Sequence, residues 1–423
     1  MNWEEVQAWI ALSGGLIVIG ALAQVVFGVV RGAQDVVLAR RRNELQLERL
    51  RQSVASATLV REMAEQREIG SWSGTRKFRI AAKRMEADDV CSFYFVPHDR
   101  KPLPGFRPGQ YLTFSLRLPD RDKPLVRCYS LSDSPFQRDH YRVTIKRLSP
   151  PPGAGDAPPG LSSTFFHRDL NEGDIVDVKA PAGAFCLDLA EHRPVVFIAG
   201  GIGLTPLFSM LKAICESGSK REAWFFYGIR HGGEHVFREE LQRFAPKHEN
   251  VKLVVCYDAP RAGDQSGVSH HLEERVSTDL LKRTLPSSNY DFYVCGPPPM
   301  MAALTQGLAA WGVPEERIFT EAFGPASVKT IEKPAPLVSP QPQVTFARSG
   351  KTVAWDGGDN LLEFAEAHGV KPDFGCRAGG CATCMTAVKS GEVTYVRAPD
   401  ARPDSGSCLI CVARPKTDLV LDA

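Results

Sequence analysis

The residues with the clearest chemical potential are five cysteines close to the C-terminus. The chain has eleven cysteines, and five of them fall in one stretch: Cys376, Cys381, Cys384, Cys408 and Cys411. The first three have the spacing Cys-x4-Cys-x2-Cys, which is typical of thiolates that bind a [2Fe–2S] cluster. A zinc site more often shows paired Cys-x2-Cys knuckles. Two irons need four thiolates, so a fourth ligand is expected at Cys408 or Cys411.

A glycine-rich turn in the middle of the chain is the second such feature. An apolar run at 194–199 predicts a buried strand, and three glycines and a Thr-Pro pair follow it before an amphipathic helix. Strand, glycine turn and helix favour a diphosphate, because glycines let the backbone approach the ligand and the helix N-terminus attracts the anion. The candidate contacts are Gly200, Gly201, Gly203, Thr205 and Pro206.

Strands and helices continue to alternate after this turn, which predicts an α/β domain with a parallel sheet. Further strands are expected at 223–227, 252–257 and 290–295. After the first of them, Arg230 can pair with a 2′-phosphate, and no acidic residue sits directly beside it to bind a ribose. After the last, Cys295, Gly296 and Pro297 form a turn that leads into another helix.

Upstream, short alternating runs separated by turns predict an antiparallel barrel over 73–190. The segment 127–130 contains an arginine that can neutralise a phosphate, a tyrosine that can pack on a flavin and a serine that can hydrogen-bond the flavin nitrogen N5. The segment 160–164 opens a helix and offers N–H groups and hydroxyls to a diphosphate. The candidate flavin contacts are Arg127, Tyr129, Ser130, Gly160, Ser162, Ser163 and Thr164.

Together these segments resemble the ferredoxin–NADP reductase superfamily, and the resemblance covers the chain from the barrel to the C-terminus. It implies that Cys295 lies beside the nicotinamide and helps to place its reactive carbon. It also implies that Glu321 lies near the flavin and that Phe323 covers the flavin ring, with a place in the domain interface as the alternative for Phe323. On this resemblance the catalytic residues are Ser130, Cys295 and Glu321.

The C-terminal segment resembles plant-type ferredoxins, which carry their cluster on an α+β domain of the β-grasp type. In ferredoxins the last ligand comes just before a short run that leads to the final strand, and this position selects Cys411. The metal ligands implied are Cys376, Cys381, Cys384 and Cys411. A hairpin is expected at 344–355 and a helix at 360–368.

The resemblance leaves the choice of cofactors open. Phthalate-dioxygenase-type reductases share the order of flavin, nicotinamide and ferredoxin domains and use FMN. The segments 160–166 and 180–183 are more similar to FAD-binding flavohaemoglobin reductase domains, so FAD is favoured. NADH is favoured over NADPH because the ferredoxin-fused relatives mostly use it.

The N-terminus contains no charged residue between positions 6 and 30. Its apolar part spans about 30 Å as a helix, which predicts a transmembrane helix, with a signal peptide or a buried core helix as alternatives. Five arginines follow the span and no Lys or Arg precedes it: Arg31, Arg40, Arg41, Arg42 and Arg49. The positive-inside rule therefore places the rest of the chain in the cytoplasm.

The length of 423 residues predicts two or three domains. A net charge of +2 gives no indication of nucleic-acid binding, and six scattered cysteines are typical of reduced thiols rather than of a disulfide framework. The predicted order is a transmembrane helix at 6–30, a helical stalk at 31–70, a flavin barrel at 73–190, a nicotinamide domain at 191–325, a Pro-rich linker at 326–342 and a ferredoxin domain at 343–423. A short coiled coil or a helix on the membrane surface is the alternative for 31–70.

These features predict a single-pass protein of the inner membrane, with its N-terminus outside and its catalytic domains in the cytoplasm. It is expected to pass hydride from NADH to flavin and single electrons through the cluster to a separate membrane-associated protein, an oxygenase, hydroxylase or desaturase. The alternative is the electron-input subunit of a quinone-reducing or energy-coupling membrane complex. The anchored subunit of the sodium-pumping quinone reductase places its ferredoxin before its flavin domain, so the order seen here disfavours that alternative.

Overall fold

The structure is a computed structural model that describes residues 72–423 with gaps, together with part of the segment 20–61. The gaps lie at 73, 120, 122–123, 151–157, 324–340, 359, 376, 378, 380, 397–398 and 400–402. The chain divides into two compact units, Met1–Leu59 and Val60–Ala423. Of the predicted linker at 326–342, only residues 341 and 342 are described.

In the first unit every described residue is helical. Within the described residues, no helix combines the length and the apolar character needed to cross a membrane. Residues 6–19, more than half of the predicted transmembrane span, lie outside the described part. The described residues of the predicted stalk, which include the whole of 31–44, are helical.

The second unit begins with a six-stranded antiparallel sheet in the order β4-β3-β6-β1-β2-β5. Its strands are β1 Arg76–Ala87, β2 Val90–Pro97, β3 Tyr111–Leu116, β4 Leu125–Ser130, β5 Tyr141–Lys146 and β6 Ile175–Ala182. A bridge between Leu131 and Val143 joins the two ends of the sheet and closes it into a barrel. The predicted antiparallel architecture is confirmed.

Aromatic side chains fill this barrel. Helix α1, Leu161–Thr164, continues into a π-helical turn, Phe165–Asp169. The turn places Phe166 inside the barrel, with its ring centroid 5.2 Å from that of Phe93 and 5.3 Å from that of Phe114. Because these rings are fully buried, each contributes roughly 1.5–3 kcal/mol of burial free energy. The packing fixes the helix that carries the predicted flavin contacts.

The next sheet is parallel, with five strands in the order β11-β10-β7-β8-β9. The strands are β7 Val195–Gly200, β8 Ala223–Ile229, β9 Val251–Tyr257, β10 Asp291–Cys295 and β11 Ile318–Glu321. The helices are α2 Leu204–Glu216, α3 Arg238–Phe244, α4 Thr278–Thr284 and α5 Pro298–Ala310. Every residue of β7 is buried, as expected for a central strand of a parallel sheet.

Buried charges join the barrel to the parallel-sheet domain. Asp133 of the barrel forms an ion pair with Lys212 of α2, and Arg142 Nη1 lies 2.7 Å from Glu240 Oε1 of α3. Burial tends to raise the pKa of Asp133, but a hydrogen bond with His140 and the charges of Arg142 and Lys212 hold it far below its ordinary value. These pairs fix the barrel against the helices that follow the glycine turn.

The last sheet is mixed, with five strands in the order β13-β12-β18-β14-β16 beside a β15-β17 pair. The elements are β12 Gln343–Phe346, β13 Lys351–Ala354, α6 Leu361–Ala367, β14 Met385–Ser390, β15 Val393–Tyr395, β16 Ser407–Leu409, β17 Ala413–Pro415 and β18 Leu419–Leu421. Asn360 caps α6, because its side-chain oxygen accepts from Glu363 N at 3.0 Å. The predicted hairpin and helix both form, and β12 and β18 pair in parallel.

Candidate functional site

Three predicted catalytic residues meet where the barrel faces the parallel sheet. Ser130 ends β4, Cys295 ends β10 and Glu321 ends β11. Ser130 Oγ donates a long hydrogen bond of 3.5 Å to Glu321 Oε2. Cys295 pairs with Glu321 in the register of the two parallel strands. Residues from two domains thus converge at the carboxyl edge of the sheet, where open α/β sheets bind ligands.

The Cys295 side chain is neutral at physiological pH. The residue is fully buried, and burial, followed by the charge of Glu321, raises the thiol pKa well above its ordinary value. A thiolate would therefore be strongly disfavoured here. The group can position a neighbouring ring by packing, but it is not a nucleophile.

The glycine turn lies beside Cys295. In the sheet, β7 has β8 on one side and β10 on the other, so the crevice opens at the carboxyl ends of β7 and β10. A Cβ atom on Gly203 would collide with the Cys295 carbonyl group, and one on Gly200 would lie 2.7 Å from Pro297 Cδ. The turn after β7 and the turn after β10, which contains Gly296, pack this closely only because glycine occupies positions 200 and 203.

The rest of the glycine turn opens helix α2. Gly201 begins a short 3-10 turn, and Thr205 and Pro206 lie buried in the first turn of the helix. Thr205 Oγ1 donates to Ile202 O at 3.1 Å, so this hydroxyl stabilises the turn. A nucleotide at this edge would be bound mainly by backbone N–H groups.

Arg230 is exposed at the end of β8 and is held by a carboxylate. Its Nε lies 3.1 Å from Glu234 Oε1, and Lys146 of the barrel lies 3.4 Å from the same oxygen. Burial tends to raise the Glu234 pKa, but the hydrogen bond from Arg230 and the charge of Lys146 lower it to about 2. The expectation that no acid lies beside Arg230 is wrong. A turn of chain folds Glu234 back onto it, and local spacing gives no signal of that contact.

The predicted flavin contacts cluster around α1. Tyr129 Oη and Ser162 Oγ are 2.7 Å apart. Ser163 Oγ donates to the Gly160 carbonyl at 3.0 Å and accepts from Leu148 N, so it stabilises the turn. Among the described residues, Thr164 Oγ1 is buried without a hydrogen-bond partner. An orphaned hydroxyl is unfavourable, so the segment fits a polar ligand such as a flavin diphosphate.

Two other predicted flavin contacts are placed apart from this segment. The Arg127 guanidinium donates to the Val126 carbonyl at 2.7 Å and lies 5.8 Å from the centre of the Phe374 ring, in the C-terminal domain. Burial, followed by the charge of nearby Arg377, lowers the Arg127 pKa. Phe323, two residues after Glu321, keeps 37% of its surface exposed. An exposed aromatic ring at this edge fits the predicted role of covering a flavin.

The cysteine loop is buried and tightly wound. Cys381, Cys384 and Cys411 expose 7%, 3% and 0% of their surfaces. Cys376 lies outside the described residues, and within the described part no group of three or more His, Cys, Asp or Glu side chains is close enough to hold a metal ion. Arg377 and Ala382 both have φ near +55°, a left-handed conformation that non-glycine residues rarely adopt. A strained, buried loop rich in thiols fits a [2Fe–2S] cluster.

The two candidates for the fourth ligand differ in their position on the sheet. Cys408 lies within the β14–β16 pair, opposite Thr386. Cys384 and Cys411 both lie just beyond one end of this pair, where Met385 is opposite Leu409. Burial, followed by the charge of Cys411, raises the pKa of Cys408 to about 12. A fully buried thiol inside a strand pair is placed for packing. This geometry favours Cys411 as the ligand.

Three family models match consecutive parts of the chain. An oxidoreductase FAD-binding domain matches residues 77–186, and an oxidoreductase NAD-binding domain matches residues 197–306. A 2Fe-2S iron-sulfur cluster binding domain matches residues 344–416. The matched ranges fall on the barrel, on most of the parallel sheet and on most of the mixed sheet.

Similar proteins cover different shares of the chain. A flavohemoprotein of Halalkalibacterium halodurans is 39% identical over 257 residues, which are 61% of this chain and 62% of that protein. The flavohemoglobin-like FAD/NAD-binding domain of a Vibrio cholerae nitric oxide dioxygenase is 31% identical, with 60% of this chain and 100% of that chain covered and a TM-score of 0.52. Phthalate dioxygenase reductase is 27% identical, with 83% and 98% covered and a TM-score of 0.50.

The chain therefore belongs to the ferredoxin–NADP reductase family and adds a C-terminal 2Fe–2S ferredoxin domain to its FAD-binding and NAD-binding domains. Its domains are those of an oxidoreductase with sites for FAD, NAD and a 2Fe–2S cluster.

Proposed function

We propose that this protein is an NADH-dependent reductase that supplies single electrons to a separate oxygenase, hydroxylase or desaturase. The main support is the ferredoxin domain that follows the two nucleotide-binding domains. The chain aligns with almost the whole length of phthalate dioxygenase reductase, whose structure is described as modular for electron transfer from pyridine nucleotides to [2Fe-2S]. When bound, the flavin supplies the exchange between two-electron and one-electron chemistry.

The protein's own residues prepare the site for this exchange. The Ser130 hydroxyl donates a long hydrogen bond to Glu321 and would transfer this bond to a flavin ring nitrogen when the flavin binds. Cys295 is buried as a neutral thiol under this edge of the sheet, so it would help to shape the nicotinamide site without adding charge. The closely packed glycine turns would let a nucleotide approach the sheet edge, where the crevice would exclude water from the reacting groups.

NADH is proposed as the nucleotide because Glu234 pairs with Arg230. The pair removes a free cation that a 2′-phosphate would need and presents a carboxylate that suits ribose hydroxyls. A 2′-phosphate would have to displace Glu234 and would meet its negative charge.

We also propose that residues 6–30 attach the protein to the inner membrane with the catalytic domains in the cytoplasm. The support is the uncharged run and the arginines that follow it. Alkaline washing of membranes that contain the full chain tests this. The wild-type protein should stay in the pellet, whereas Val18→Arg should release it. Release of the wild-type chain would contradict the anchor.

The acceptor is tested by purifying the full chain in mild detergent and assaying what accompanies it. NADH-dependent reduction of ferricyanide should be present in any case. Addition of the co-purified oxygenase should couple NADH oxidation to substrate hydroxylation or desaturation. Recovery in a multisubunit complex that reduces quinone would contradict the proposal.

A further inference from the structure

The barrel contacts the cysteine loop of the ferredoxin domain directly. Lys179 Nζ, on β6, donates a hydrogen bond to the backbone oxygen of Cys381 at 3.0 Å. A Cβ atom on Gly375 would lie 2.8 Å from Cys381 Sγ and 3.0 Å from Val126 Cγ1 on β4. Gly375 therefore fills a narrow space between the barrel and a predicted ligand. Only a residue without a side chain allows the two to lie this close.

The contact lies on the same barrel face as Ser130. Val126, Cys128 and Ser130 alternate along β4, so their side chains point to one side of the sheet. Lys179 pairs with Thr113, and Thr113 pairs with Cys128, which places Lys179 in the same cross-strand row. At about 3.3 Å per residue, Val126 and Ser130 are about 13 Å apart. One strand, β4, therefore carries the predicted flavin contact Ser130 and also approaches the cysteine loop through Val126.

Positive charge gathers at this contact. The Arg377 guanidinium carbon lies 4.0 Å from the centre of the Phe374 ring, and Arg127 approaches the same ring from the barrel. Arg377 is also paired with Glu366 of its own domain. Lys179 differs from both, because its ammonium group crosses the domain boundary and hydrogen-bonds the backbone of a predicted ligand. Hydrogen bonds and charges around a cluster set its reduction potential.

We propose that Lys179 docks the cluster loop onto the flavin barrel and raises the reduction potential of the cluster in the docked state. The ammonium group stabilises the negative charge that the cluster gains on reduction, and its hydrogen bond holds the loop against β4. Lys179 is a positioning residue that acts through the Cys381 backbone. The inference rests on the cluster site proposed at Cys376–Cys411, and it is independent of the identity of the acceptor.

The test compares Lys179→Met, Lys179→Arg and the control Lys77→Met in the full-length holoprotein. Lys77 is exposed on the neighbouring strand β1 and pairs with Asp177 rather than with the cysteine loop. Iron and sulfide content first establish that each protein carries its cluster, and an EPR-monitored redox titration then gives the midpoint potential. Lys179→Met should lower the midpoint potential of the cluster. Lys179→Arg should keep the potential close to the wild-type value, and Lys77→Met should leave it unchanged.

Rapid mixing with NADH gives a second readout. Loss of one charge-assisted hydrogen bond should slow electron transfer from flavin to cluster by roughly tenfold in Lys179→Met. Raising the salt concentration should slow the wild-type transfer towards that of the variant, because salt screens a partly exposed contact.

An unchanged midpoint potential in Lys179→Met, or a wild-type transfer rate that does not respond to salt, would overturn the proposal. A wild-type protein without iron would contradict the cluster site instead, so the two failures are distinguishable.

Discussion

Ser130 and Glu321 are 191 residues apart in the sequence, yet the Ser130 hydroxyl donates a hydrogen bond to the Glu321 carboxylate. Ser130 belongs to the barrel, and Glu321 ends the edge strand of the parallel sheet. The group predicted to contact the flavin is therefore oriented by the nucleotide domain. This contact makes the reaction geometry depend on how the two domains are held together, to which the buried pairs of Asp133 and Arg142 contribute.

Replacing Ser130 should slow reduction of the flavin by NADH. Ser130→Ala removes one hydrogen-bond donor at the reacting edge, and such a bond contributes about 1 kcal/mol, which corresponds to roughly a fivefold lower rate. Stopped-flow absorbance at the flavin band measures the effect. Ser115→Ala on the neighbouring strand is the matched control and should reduce at the wild-type rate. Equal rates for Ser130→Ala and the wild type would contradict a role for this hydroxyl.

Glu234 should control the choice between NADH and NADPH. Glu234→Gln frees the Arg230 guanidinium and removes a charge that repels a 2′-phosphate. The ratio of kcat/KM for NADH over that for NADPH should fall about tenfold, equivalent to about 1.4 kcal/mol. Steady-state ferricyanide reduction with each nucleotide measures it. Glu249→Gln, at the surface of the same domain, serves as the control. A ratio that stays at the wild-type value would count against the Arg230–Glu234 pair as the determinant.

Cys411 and Cys408 should respond differently to substitution by serine. Cys411→Ser should lose most of the iron and sulfide and the EPR signal, because two irons require four thiolates. Cys408→Ser should keep the cluster but lose about 1–3 kcal/mol of stability, since it buries a hydroxyl in the core of the domain. Iron analysis and urea unfolding measure the two effects. Cluster loss in Cys408→Ser with retention in Cys411→Ser would reverse the assignment.

The nicotinamide domain should lose stability as the pH falls below 6.5, in part because of His235. Burial, followed by the charge of Arg238, lowers the His235 pKa from 6.5 to about 3. The unfolded chain therefore binds a proton below pH 6.5 that the folded chain excludes until about pH 3. This linkage removes about 1.4 kcal/mol of unfolding free energy per pH unit, or about 2 kcal/mol at pH 5.

Urea unfolding across this pH range tests the linkage. His235→Gln should lower the slope of the unfolding free energy against pH by the equivalent of about one proton. The substitution also weakens the hydrogen bond to Tyr257. Exposed His192→Gln should leave the slope unchanged. A wild-type slope in His235→Gln would show that this histidine is not the excluded group.

Local signals in the sequence predicted much of the fold and the general position of the site. The cysteine spacing, the glycine turn before α2 and the helix expected at 360–368 all depend on neighbours within a few residues. Contacts between distant segments gave no such signal. Lys179, for example, reaches Cys381 across 202 positions. Arg127 has the residue type expected at a phosphate site, but its side chain lies against Phe374, a placement that only the packing of two domains determines.

The central claim is that electrons from the nicotinamide reach the cluster through the flavin in one chain. The most direct measurement is anaerobic mixing of the purified holoprotein with NADH, with the flavin followed by absorbance and the cluster by freeze-quench EPR. Flavin bleaching should come first, and a [2Fe–2S] signal should then grow to nearly one spin per chain, while Cys411→Ser should bleach without the signal. A wild-type protein whose flavin is reduced but whose cluster stays oxidised would contradict the account.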